Sequence, residues 1–192
     1  MSLTVVTPPT EDLLTLTEVR DHLGLSGITD FDAELPAHLA AATALLEAAT
    51  QRRFLTQTLE WPLDGWPATW IRLPVAPVAI DGVVDVVYAD ASGVLTTMPT
   101  ADYVVSRWGP TLSLRPRLGA SWPLLDPDAA EPVTITFEAG ELAADIDPLV
   151  KLAARFVIAN SFRNRGDEAA MTLAASKLSP AVEALIGPLR WD

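Results

Sequence analysis

Apolar positions recur along this chain with two different periods, and the change of period divides it into three stretches. Leu35, Leu39, Ala42, Leu46 and Ala49 step by four and three, which gathers them into one stripe of a helix. That helix is expected to open at Asp32, whose carboxylate can accept first-turn amides, and to run to about Arg53, with Pro36 tolerated in the first turn. Ala40, Ala41, Ala44 and Ala48 leave room for close helix contact. A shorter helix precedes it: Thr15 and Glu18 form a capping box ahead of Val19, His22 and Leu23, and Gly24 ends it.

From Thr58 to Ala139 the pattern becomes short β-type runs broken by proline and glycine, which a continued helical bundle would not tolerate. The expected strands are Thr69 to Leu73, Val83 to Tyr88, Tyr103 to Ser106, Thr111 to Leu114 and Val133 to Phe137. In the last, Val133, Ile135 and Phe137 alternate inward against Thr134 and Thr136. Ala89 to Gly93 reads as a hairpin loop, with Gly93 free to take positive φ. Helical signals return where Asp147 caps and Pro148 opens a helix. Leu149, Leu152, Phe156 and Ala159 mark one of its faces, and Val150, Val157, Ile158 and Phe162 cover most of the others, so the helix is expected to be central and largely buried. A last helix starts at Ser179 and Pro180, stops at Gly187 and Pro188, and leaves a tail of Leu189, Arg190, Trp191 and Asp192. The pattern thus predicts an α+β protein: a compact helical bundle core (1–57 and 141–192) with a β-rich insertion lobe (58–140) between the second and third main helices.

Composition narrows what such a fold does. With 192 residues, 49% of them hydrophobic, the chain can bury one sizeable core. Its 25 acidic residues against 13 basic ones give a formal charge of -12, which opposes non-specific binding to DNA or anionic membranes. With no cysteine, disulfides, thiolate metal sites and cysteine nucleophiles are excluded. The first residues lack a basic, apolar leader and no run reaches the roughly 18 apolar residues of a membrane span, so synthesis in the cytoplasm without membrane attachment is expected.

Candidate chemistry is sparse. His22 and His38 have no carboxylates at metal-ligand spacing, and no nucleophile elbow, P-loop or dinucleotide fingerprint occurs. Asp85 and Asp90 resemble an acid and base pair only superficially, since loop acids at this density are usually solvated. No catalytic residue, metal or cofactor is expected. Trp61, Trp66 and Trp70 offer an aromatic platform for a sugar, but the favoured reading is that they cover the core of the β lobe. Arg155, Arg163 and Arg165, with Asp167 and Glu168, read as an inter-subunit salt-bridge rim rather than a phosphate site. Trp191 is costly to leave in water, a buried ring being worth on the order of 2 kcal/mol.

Three stretches, in order, resemble the head-to-tail connector (adaptor) family of long-tailed phages and of phage-derived gene transfer agents. They are DFDAELPAHLAAATALLEAATQRRFLTQTLEW, then LPVAPVAIDGVVDVVYADASG, then VTITFEAGELAADIDPLVKLAARFVIANSFRNRGDE. The first carries an acidic start, an alanine-rich helix, arginine and a strand opening with a Gln-Thr pair. The second carries a Leu-x-x-x-Pro-Val run, a second β run, a tyrosine and an Asp-x-x-Gly hairpin. The third carries a strand, a glycine and a proline-started helix, with Phe162 where the family commonly has tyrosine. The resemblance implies a homo-oligomeric ring, usually twelve-fold, that binds the portal protein, receives a stopper or tail-terminator protein, and passes DNA as non-specific cargo. It also implies a particle-neck location, no catalysis, and a terminal element inserted between portal subunits. That role suits Leu185, Ile186, Leu189, Arg190 and Trp191, an apolar anchor with one charge. The alternatives are a tail-completion or stopper protein, and a carbohydrate-binding domain built on the tryptophans.

Overall fold

A computed structural model describes residues 2–164 and 178–190. The chain forms two compact units, each assembled from separated stretches: Met1–Thr10 with Thr56–Gly140, and Glu11–Leu55 with Glu141–Asp192. Strands occupy the first and helices the second, so the protein is mixed α+β.

In the helical unit, α1 (Leu16–Leu23) starts at the expected capping box, in which Thr15 Oγ1 accepts from the Glu18 amide and the Glu18 carboxylate accepts from the Thr15 amide. It ends at Gly24, whose φ of 73° is in the left-handed region that a helix stop favours. The next helix, α2 (Leu35–Thr50), buries Leu35, Leu39, Ala42 and Leu46 as the stripe requires. Its start differs from expectation. Asp32 does not cap it, because both carboxylate oxygens of Asp32 are taken by the Arg20 guanidinium in a bidentate pair, the stronger contact for a carboxylate. The helix therefore begins after Glu34, and it ends at Gln51, which turns left-handed short of Arg53.

The long C-terminal helix α3 (Pro148–Arg163) has the expected Asp147 cap and Pro148 start, but it is not buried on most of its faces as expected. Val150, Ala153, Ala154, Ile158, Ala159 and Phe162 face inward, whereas Leu149, Leu152 and Phe156 are 40%, 36% and 43% exposed. Small side chains let helix backbones approach closely, so the alanine side of α3 packs and its bulky side is left outside. A fourth described helix, α4 (Pro180–Ile186), is capped by Ser179 and buries Val182 and Ile186. Gly187 does not stop it in the left-handed region. It stays helical at φ -49° and the chain tightens into a 3₁₀ turn, Gly187–Leu189.

The strand unit contains two antiparallel sheets. One has the order β1 (Thr4–Thr7), β2 (Gln57–Leu63), β8 (Val133–Ala139), β4 (Val83–Ala89), β5 (Leu95–Thr97). The other has the order β3 (Ile71–Arg72), β7 (Thr111–Pro116), β6 (Tyr103–Trp108). Val133, Ile135 and Phe137 are completely buried and the threonines between them are not, as a one-sided strand dictates. The Ala89 to Gly93 hairpin forms, with Asp90 Oδ1 accepting from the amides of Ser92 and Val94 and Gly93 at φ 79°. Strand β1 lies in the stretch read as N-terminal helices. All four of its residues are exposed, so it carries no inward alternation that a sequence would display. The run Thr69 to Leu73 shortens to two paired residues.

Candidate functional site

Described residues that were expected at interfaces are mostly engaged within their own unit. Ile186 is fully buried, and Leu185 and Leu189 pack against the same helical core as Leu46 and Ile158. Arg190 pairs with Glu183, and an Arg52 guanidinium nitrogen donates to the Leu189 carbonyl at 3.5 Å. Ile186 is buried in the helical core of its own unit, where the amphipathic spacing of Val182 and Ile186 turns it inward. Trp191 lies outside the described residues.

Arg155, partly exposed, also has a partner in its own unit. It pairs with Glu18 at 3.0 Å, within its own unit, because α1 and α3 are packed neighbours. The Glu18 carboxyl is held below its ordinary range chiefly by the Thr15 amide that donates to it, with Arg155 and Lys151 adding to the effect. Arg163 is exposed on the last turn of α3, and Arg165, Asp167 and Glu168 fall outside the described residues. Beside α3 runs a groove of about 620 Å³ lined by Ala41 and Leu45 of α2, Phe156 and Asn160 of α3, and Val182 of α4. None of the described residues that line it is ionisable.

The three tryptophans separate. Trp61 and Trp66 are partly buried against the sheet core. Trp66 stacks on Trp122 at 4.5 Å and donates its indole N–H to the Pro123 carbonyl at 3.0 Å. One ring face and its polar handle are thus already used, which speaks against a sugar platform. Trp70 is 43% exposed and is not a core residue. Asp90 serves its turn. Asp85 stands near Tyr103, whose phenol is pushed up, first by burial and then by that carboxylate. His38 Nδ1 lies 2.8 Å from Ser161 Oγ, and His22 meets Phe156 edge-on. Among the described residues, no group of three His, Cys, Asp or Glu side chains is placed to hold a metal ion, and no helix is long and apolar enough to cross a membrane.

No protein-family description and no curated protein sequence matches the chain. Solved structures do. A chain in the neck of an empty gene transfer agent particle, computed with C6 symmetry, is 28% identical with a TM-score of 0.79. A chain in the virion of a native gene transfer agent particle is 28% identical at 0.80, and one in the native neck computed with C12 symmetry is 27% identical at 0.76. Each similarity covers 100% of this chain and 96% of the other. Over its whole length the chain is thus similar to a structural protein of the gene transfer agent particle neck.

For a neck-type protein, surfaces matter more than clefts, and the sequence reading missed one that gathers the arginines of the strand unit. The strand unit has four arginines, no lysine and ten carboxylates. Arg72, Arg107 and Arg115 sit on the three strands of the smaller sheet, and Arg117 is one residue past β7. The Arg72 guanidinium lies 3.9 Å from the centre of the Trp108 ring, and that of Arg115 lies 5.3 Å from the centre of the Trp70 ring. The signal was present as alternation: Trp70 and Arg72 flank buried Ile71, and Ser113 and Arg115 flank buried Leu114.

Proposed function

We propose that this chain is a head-to-tail adaptor subunit, in which the helical unit is the core and the strand unit an inserted lobe. Copies form a ring, twelve in number, bound to the portal, and the ring joins the DNA-filled capsid to the stopper and tail while DNA passes through it. The role is structural, without catalysis, with assembly in the host cytoplasm and a final place in the particle neck. The observation that carries this reading is the end-to-end similarity to chains of gene transfer agent necks computed with C6 and C12 symmetry. The exposed apolar ridge Leu149, Leu152 and Phe156 supports it, since a subunit that functions by assembly needs contact surfaces.

Within this reading Arg163, Arg165, Asp167 and Glu168 belong to the contact between ring neighbours. Arg190 and Trp191 dock on the portal, and Leu185, Ile186 and Leu189 hold that end on the helical core. Particles produced without this chain test the proposal: they are expected to accumulate as filled heads and separate tails. Normal joining in its absence would overturn it.

A further inference from the structure

We infer that the face of the smaller sheet carrying Trp70, Arg72, Trp108 and Arg115 is the surface by which one copy of this chain docks on the carboxylate-rich surface of a second copy. Residues directly opposite one another across an antiparallel pair share a face, as do alternate residues along a strand. Arg72 is opposite Ser113, Ser113 opposite Ser106, Trp108 opposite Thr111, and Arg115 is two residues on from Ser113. Those side chains therefore lie on one side, with Leu112 and Leu114 on the other. Ser113 and Thr111 are completely buried, whereas Trp70 and Trp108 are 43% and 41% exposed and both arginines are exposed. Tryptophan and arginine thus form the outer layer.

These arginines differ from four of those in the helical unit, where Arg52 donates instead to a backbone carbonyl. Arg20, Arg53, Arg155 and Arg190 each hold a carboxylate of their own chain. Among the described residues, Arg72, Arg107, Arg115 and Arg117 hold none, although their unit contains ten acids. A guanidinium lying over an indole ring keeps its N–H edge free and pre-oriented for a planar oxyanion. Tryptophan and arginine are also the residues that most often dominate interface energy. The partner must therefore bring carboxylates, and a second copy brings them in excess. Its stretch 11–34 has seven acids and one arginine, and Glu11, Asp12, Asp21 and Asp30 are exposed there. A ring of more than two copies joins two different faces at every contact, so a basic face meeting an acidic one is the complementarity that such a ring of -12 subunits requires.

The inference rests on the ring reading above. Its test is separate from the head–tail joining experiment, so either can fail alone. Self-association of the purified chain is measured by sedimentation equilibrium at low ionic strength, up to about millimolar concentration. The double variant Arg72→Gln, Arg115→Gln is compared with Ala91→Glu, Thr97→Glu, which makes the same change in net charge at exposed positions of the β4–β5 hairpin. The arginine variant is expected to weaken association by about tenfold or more and the control by less than about threefold. Equal effects, or a wild-type chain that does not associate, would overturn the inference. Labelled double-stranded DNA is titrated in parallel. If wild-type binds it, and the arginine variant loses that binding while self-association is unchanged, the face serves phosphates and the inference is wrong.

Discussion

The one-sided burial of α3 makes a sharp energetic prediction. Phe156 is 43% exposed, with His22 edge-on at a ring separation of 6.4 Å, whereas Ile158, two residues along, is 1% exposed in the helical core. Truncating Ile158 to alanine removes fully buried methyl groups and leaves a cavity, for which about 3 kcal/mol is expected within the usual range of roughly 2–5. Truncating Phe156 removes a ring that keeps little more than half of its burial, and the space left opens to solvent. The loss is then about half of the 1.5–3 kcal/mol for a buried side chain, or about 1 kcal/mol. In a chain of this size each kcal/mol shifts the melting midpoint by roughly 2–4 °C. Ile158→Ala is therefore expected to lower it by roughly 6–12 °C and Phe156→Ala by roughly 2–4 °C. Circular dichroism at a helix-dominated wavelength reads the helical unit in particular. A Phe156→Ala midpoint as low as that of Ile158→Ala would refute the assignment of inner and outer faces.

Two further changes probe other parts of the fold. Glu47 is raised above its ordinary pKa of 4.5 by burial, which outweighs the Phe54 amide and Arg53 that act the other way. Its favourable contribution is thus present below pH 4.5 and is lost as pH rises through the raised value. Glu47→Gln, which keeps an acceptor for the Phe54 amide, should gain on wild-type in urea midpoint between pH 4 and pH 7; a difference independent of pH would contradict this. At Gly82, a Cβ would lie 2.9 Å from the Glu138 carbonyl oxygen and 3.0 Å from that of Ala79. Gly82→Ala should therefore cost about 1–3 kcal/mol, and an unchanged thermal melt would show that the strand backbone yields.

Elements whose signals are local were legible in the sequence. The Thr15 and Glu18 capping box, the Asp147-Pro148 start and the alternation from Val133 to Phe137 each arise from neighbouring residues and took the expected form. Features decided by distant partners were not. Asp32 was lost as a cap because Arg20, twelve residues away, holds it. The side of α3 that packs was set by helix proximity rather than by side-chain size, and an exposed edge strand such as β1 has no burial pattern to read. The Trp70–Arg115 and Trp108–Arg72 pairs require the register of three strands, which no single stretch contains.

The central claim is tested most directly by a cryo-EM map of the neck of particles that carry this chain. The account predicts a closed ring of copies between portal and stopper, each copy accounting for density with both its helical and its strand unit. A neck whose density is filled by other chains, with no copy of this one, would contradict it.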